Sequence, residues 1–199
     1  MSLKIKNLTK RFGEKTVIDN FTYDFSDTGL FLIYGRSGVG KTTLLRIISG
    51  LESNYLGEII GAGKENVSYL FQEYRLFPTL SALDNVLLTA YDNPSEDNKN
   101  EAMSILLELG ITKEEAQLLP SELSGGMKQR VAFARAILAK RPILLLDEPM
   151  KELNEELYDS VRKLIVKEAE KRLVIMVSHN SLDREIENIN LIEMKDAEA

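Results

Sequence analysis

Phe31-Leu32-Ile33-Tyr34-Gly35-Arg36-Ser37-Gly38-Val39-Gly40-Lys41-Thr42 passes from four apolar residues through a glycine-rich turn into a helical pattern. An unbroken apolar run of this kind suits a central strand covered on both faces. The helical pattern continues from Thr42 to Ser49, with Gly50 as its stop. Glycines in the turn let the backbone wrap close to oxygen atoms and aim N–H groups at them. The start of the helix adds its positive dipole end. The stretch therefore predicts an α/β fold with an anion site between its strand and its helix.

Gly35-x4-Gly40-Lys41-Thr42 fits the P-loop pattern in full, in the strand-turn-helix context that the motif requires. Lys41 supplies a point charge for β- and γ-phosphates, and the Thr42 hydroxyl can ligate Mg2+. Ile143-Leu144-Leu145-Leu146-Asp147-Glu148-Pro149 is the complementary piece. Its apolar residues read as a buried strand whose C-terminal edge, where open α/β sheets bind ligands, delivers two adjacent carboxylates. Asp147 is expected to hold Mg2+ through water, and Glu148 to act as general base on an attacking water.

Strand patterns recur at Leu3–Lys6, Thr16–Asp19, Phe21–Phe25, Asn66–Phe71 and Leu173–Val177, with a last edge strand at Ile189–Met194. Helical patterns cover 128–140 and 155–171. Between Pro78 and Ser121 the rhythm changes to two helical stripes, Leu83/Val86/Leu87/Ala90 and Ala102/Ile105/Leu106/Leu109, separated by a polar turn at 91–98. This reads as a helical lobe inserted into a mostly parallel sheet with helices on both faces.

The 199 residues carry a formal charge of −6, with 44% hydrophobic and 28% charged residues, as in a soluble globular chain. The acidic balance argues against a nucleic-acid-coating surface. With no cysteine there is no disulfide frame and no thiolate metal site. The N-terminus lacks the apolar run of a signal peptide, and no stretch approaches the ~20 apolar residues of a membrane span. Service to a membrane would require docking on separate subunits.

Leu123-Ser124-Gly125-Gly126-Met127-Lys128-Gln129-Arg130 closely resembles the signature segment of ABC ATPases. Ser124 can cap a helix and bond phosphate, while Gly125 and Gly126 expose N–H groups at the helix start. The resemblance runs from Leu3 to Met194. It implies a single ABC ATPase domain with a RecA-like P-loop NTPase core, an N-terminal antiparallel β subdomain and an inserted α-helical subdomain. The nucleotide-binding core would take 1–72 and 136–199, and the helical subdomain with the signature 73–135. ATP would be bound by Gly35, Arg36, Ser37, Gly38, Val39, Gly40, Lys41, Thr42 and Thr43, and Mg2+ by Thr42, Gln72 and Asp147. Phe12 matches the aromatic that stacks on adenine. Gln72 matches the glutamine that senses Mg2+ and the γ-phosphate. His179, the one histidine of the sequence, matches the switch histidine that orients Glu148 and water. Ser124, Gly125 and Gly126 would contact the ATP of an opposite subunit, so the resemblance implies a head-to-tail, ATP-dependent pair, identical or not. It further implies transmembrane permease subunits, a coupling-helix surface at Gln72–Phe77, a cytoplasmic place on the inner face of the membrane, and neither nucleic acid nor membrane insertion.

Two positions depart from the family pattern. The D-loop reads Glu152-Leu153-Asn154 where Ala-Leu-Asp is common, and Asn180 follows the switch histidine where Asp is frequent. The motifs look like those of nitrate/sulfonate/taurine-type importer ATPases, with ATPases of glycine betaine or methionine uptake and of small export and lipoprotein-release systems also open. The alternatives are a non-transport ABC ATPase and a nucleotide-gated switch of low turnover.

Overall fold

Alternating apolar residues at the N-terminus build an antiparallel sheet. β1 (Lys4–Phe12) turns its Ile5 and Leu8 inward and pairs on one side with β2 (Lys15–Asp24). Phe12 faces Lys15 in the register, so Gly13 and Glu14 form the hairpin loop. Bulges interrupt the pairing, with Asn7 and Asn20 at positive φ. The structure described is a computed structural model covering residues 2–151 and 153–196.

β3 (Gly29–Tyr34) is the apolar strand that precedes the glycine turn, and α1 (Lys41–Ile48) follows it. β4 (Tyr55–Ile60) completes the antiparallel sheet, in the order β2-β1-β4. β5 (Val67–Leu70), β6 (Ile143–Asp147), β7 (Leu173–Val177) and β8 (Ile189–Glu193) join β3 in a second sheet, ordered β5-β6-β7-β3-β8. The β3–β7, β3–β8 and β6–β7 pairs are parallel. Every residue of β6 and β7 is buried, which explains their lack of polar alternation. Leu44, Leu45, Ile47 and Ile48 of α1 share one core with Ile5, Leu8, Ile33, Leu145 and Ile175.

The chain divides into two units. The first holds Met1–Tyr69, Arg141–Glu148 and Val166–Ala199; the second holds Leu70–Lys140 and Pro149–Ile165. In the second unit, α2 (Ala82–Leu87), α3 (Glu96–Glu108) and α4 (Gly125–Leu138) pack together over Val86, Leu106 and Phe133. Ser81 caps α2, and Ser95 with Asn98 forms a capping box on α3. The fully buried Asn85 fixes the loop before α2. It accepts from Phe77 N (2.7 Å) and donates to the carbonyls of Phe77, Leu80 and Ser81 at 3.1, 3.0 and 2.9 Å. α5 (Glu155–Ala169) begins in this unit and ends in the first.

Three local expectations need correction. Thr16–Asp19 and Phe21–Phe25 are not separate strands; β2 is continuous to Asp24, and the interruption between them is Asn20 at φ 46°. β4 was not expected, because only Tyr55 and Ile59 along it are half-buried and Gly57 breaks its pattern. α4 begins at Gly125, ahead of Lys128, since Ser124 caps it there and offsets the poor helix propensity of two glycines.

Candidate active site

The turn after β3 takes its shape from close backbone approaches. Gly35 (φ 147°) lies against the Met194 carbonyl oxygen, which a Cβ would strike. Gly40 (φ 105°) lies against Val17, whose Cγ1 and carbonyl oxygen would each stand 2.9 Å from a Cβ. Gly40 is also the N-cap of α1. Val39 is buried, whereas Arg36, Ser37 and Gly38 are exposed and Thr43 is half-buried. Arg36 pairs with Asp196 at 3.2 Å.

Lys41, only 4% exposed, donates to the carbonyls of Gly35 and Arg36, each at 2.9 Å. Burial pushes its pKa down, against the opposing pull of Glu148 and Asp147. The Thr42 hydroxyl donates to Asp147 Oδ1 (3.2 Å), and the Tyr69 hydroxyl to Asp147 Oδ2 (3.4 Å). Burial raises the Asp147 pKa, and these two hydroxyls act the other way. Tyr69 was not singled out from the sequence. Its pairing with Asp147 depends on the order of β5 and β6 in the sheet, and no local motif records that order.

Glu148 is the first residue past β6. Its N–H is held by the Val177 carbonyl at 3.0 Å, and its φ of 56° places a non-glycine residue in the left-handed region. Such strain costs about 1–3 kcal/mol and persists only where the surroundings over-determine it. Its Oε1 stands 3.3 Å from His179 Nε2. Burial raises the Glu148 pKa, while the His179 side chain and a hydrogen bond from the His179 backbone oppose the rise. Asn180 Oδ1 accepts from Leu182 N (3.1 Å) and caps the short turn Ser181–Glu185, a task that Asp performs equally well.

Phe12 sits at the end of β1, 49% exposed, with the Lys10 ammonium 4.6 Å from its ring centroid. The first unit thus brings together the glycine turn, Asp147, Glu148 and His179, and also contains Phe12. The other candidate residues belong to the second unit. Gln72 is exposed just past β5. Ser124 Oγ accepts from Met127 N (3.2 Å) at the head of α4, beside exposed Gly125 and Gly126. Arg130 donates to the carbonyls of Gly126 (3.2 Å), Leu109 (2.8 Å) and Gly110 (3.0 Å). Arg135 donates to those of Arg75 (2.7 Å) and Tyr74 (3.0 Å). Asn154 Oδ1 accepts from Leu157 N (3.0 Å) at the start of α5; Glu152 lies outside the described residues.

The Thr42 hydroxyl and the Asp147 carboxylate are hard oxygen donors. Among the described residues, no three His, Cys, Asp or Glu side chains converge on a point. Two oxygen donors fit a Mg2+ that keeps waters and takes its other ligands from phosphate.

Residues 18–151 match the ABC transporter family. The chain is 40% identical, over 78% of its length, to the spermidine/putrescine import ATP-binding protein PotA of Thermotoga maritima, of which the match covers 45%. It is 38% identical to the sulfate/thiosulfate import ATP-binding protein CysA of Burkholderia mallei, covering 81% of the chain and 50% of that protein. It is 36% identical to the Fe(3+) ions import ATP-binding protein FbpC 1 of Rhizobium meliloti, covering 98% and 59%. The chain therefore spans about half the length of the curated relatives it matches. Among solved structures, the ATP-binding cassette MJ0796, a dimer in a post-hydrolysis state bound to ADP and Pi, superposes with a TM-score of 0.83 at 29% identity over 97% of this chain and 96% of that one. A P-loop NTPase fold, the family match and these relatives agree: the chain belongs to the ABC transporter family, as one of its ATP-binding domains.

Proposed function

We propose that this chain is the ATP-hydrolysing subunit of an importer, driving solute movement through separate membrane subunits by closing with a second ATPase subunit around ATP. The observation that carries this reading is the strained Glu148, facing His179 at 3.3 Å beside the glycine turn that holds Lys41. Backbone N–H groups of the turn cradle the β- and γ-phosphates, and Lys41 exchanges its two carbonyl partners for phosphate oxygens. Thr42 and Asp147 hold Mg2+, which when bound neutralises phosphate charge. Burial brings Glu148 closer to working pH, where its carboxylate takes the proton of the attacking water. His179 orients that carboxylate. Phe12 stacks on adenine, and Gln72 keeps the sensing role that the resemblance assigns to it.

Ser124, Gly125 and Gly126 would meet the ATP of the partner subunit; the dimeric form of the similar cassettes supports this pairing. Among the described residues no helix is long and apolar enough to cross a membrane. The relatives' names as import ATP-binding proteins support a place on the cytoplasmic face, on permease subunits. The names of the relatives range over polyamines, sulfate and Fe(3+). They support import as the class of activity, and the solute would be chosen by the membrane subunits.

The test is Glu148→Gln. Mg-ATP hydrolysis should nearly cease while ATP binding and ATP-dependent dimerisation, read by size-exclusion chromatography, persist. Unchanged turnover would overturn the assignment of the base.

A further inference from the structure

Lys10 is an unusual lysine, 3% exposed in a strand that ends at a hairpin. Its ammonium is anchored by Glu52 Oε1 (2.8 Å) and by the carbonyls of Ser53 (2.7 Å) and Asn54 (3.1 Å). Those three acceptors belong to the segment between α1 and β4, so Lys10 ties the end of the P-loop helix to β1. The same ammonium stands 4.6 Å from the centroid of the Phe12 ring. Residues two apart in a strand share a face, which places the cation against that ring. Phe12 borders the Gly13-Glu14 loop and is half exposed, a position where an aromatic side chain would otherwise sample several rotamers.

We propose that Lys10 is a positioning residue for nucleotide recognition: a buried cation that fixes one face of the Phe12 ring and leaves the other for a purine base. The inference rests on the reading of Phe12 as the base-stacking aromatic. A cation within ~6 Å of a ring centroid is attracted to its π face. Here the cation is fixed in place, because three protein oxygens hold the ammonium. The ring is thus ordered before the base arrives, and binding need not pay for ordering it. Lys10 touches no phosphate in this scheme, so its contribution is confined to the base.

The experiment is calorimetric titration of the full chain with Mg-ATP and with Mg-tripolyphosphate, which lacks base and sugar. Lys10→Met should weaken Mg-ATP about two- to fivefold, the lower range of a cation–π contact, as suits a ring that is half exposed, and leave tripolyphosphate unchanged. In a Phe12→Ala background the same substitution should have no further effect on ATP. Lys10→Arg, which keeps a cation over the ring, should retain ATP affinity and serves if the methionine variant fails to fold. Equal losses for both ligands, a full Lys10→Met loss in the Phe12→Ala background, or an arginine variant that folds but binds ATP weakly would each overturn the proposal. If Phe12→Ala alone leaves ATP binding intact, the reading of Phe12 fails instead.

Discussion

His179 Nε2 lies 3.3 Å from Glu148 Oε1 because two parallel strands end in step. Asp147, the last residue of β6, is in register with Val177, the last residue of β7, so the residues that follow emerge side by side. The register supplies the proximity, and the left-handed turn at Glu148 presents its carboxylate.

The Glu148–His179 contact sets a pH dependence. Burial raises the Glu148 pKa above its ordinary value, so the proposed carboxylate base would be lost at a higher pH than for a free glutamate as pH falls. His179 holds that pKa down. His179→Ala should lower the hydrolysis rate about 10²-fold, in the range of a group serving acid–base catalysis, and should move the acid limb of the kcat profile to higher pH. A profile with an unmoved acid limb would show that His179 does not act on Glu148.

Asp147 carries a stability cost that the proposed Mg2+ role would explain. Its folded pKa is raised by burial, so the native state holds the proton more tightly than the unfolded chain does. Stability therefore falls as pH rises from the unfolded pKa through the folded one, and at neutral pH the buried charge destabilises. Asp147→Asn removes that charge and still offers an oxygen to the Thr42 or Tyr69 hydroxyl. Its Tm at neutral pH should rise by ~2–4 °C, as about 1 kcal/mol gives in a chain of this size. The gain should vanish at acid pH, and Mg-dependent hydrolysis should collapse. A lower Tm at neutral pH would contradict the burial argument.

The glycine turn was legible in the sequence because its chemistry is local. Gly35 and Gly40 are forced by backbone approaches at fixed spacing, and β6 and β7 announce themselves by apolar runs with no polar alternation. Tyr69, Lys10 and Asn85 were not legible as functional or bracing residues. Each works through partners brought by the fold: Asp147 across the sheet, Glu52 beyond α1, and the carbonyls of a loop that closes over Asn85. β4 escaped notice for a related reason. A weakly buried strand is specified by its pairing with β1, and a single sequence does not display pairing.

Arg135 spends its guanidinium on two carbonyls. Its Nη1 and Nη2 reach Arg75 and Tyr74, and burial pushes its pKa down. The planar fork thus ties α4 to the segment that follows Gln72, and a lysine ammonium, a compact point charge on a shorter reach, does not reproduce that fork. Arg135→Ala should cost about 2 kcal/mol through unpaired carbonyls, a Tm loss of ~4–8 °C. Arg135→Lys should cost less. Amide hydrogen exchange across Gln72–Phe77 should accelerate in both variants; unaltered exchange there would mean that the segment is held by other contacts.

Gly126 is the glycine that the described fold does not require. It lies in α4 without a positive φ, and a Cβ on it would meet nothing within 4 Å. Its neighbour Gly125 is different, since a Cβ there would press on the Tyr74 hydroxyl at 3.1 Å. From Gly126 itself Arg130 takes the carbonyl alone, which alanine retains. Glycine in a helix costs about 0.5–1 kcal/mol relative to alanine, so Gly126→Ala should hold or raise Tm, by ~1–3 °C. If that glycine serves close approach to a nucleotide held by a second subunit, the same variant should bind Mg-ATP normally as a monomer. It should also fail to dimerise on ATP and lose most of its hydrolysis. Analytical ultracentrifugation with and without Mg-ATP, run beside a steady-state ATPase assay, reads both. Full activity with intact dimerisation in Gly126→Ala would remove the signature contact from the proposed cycle.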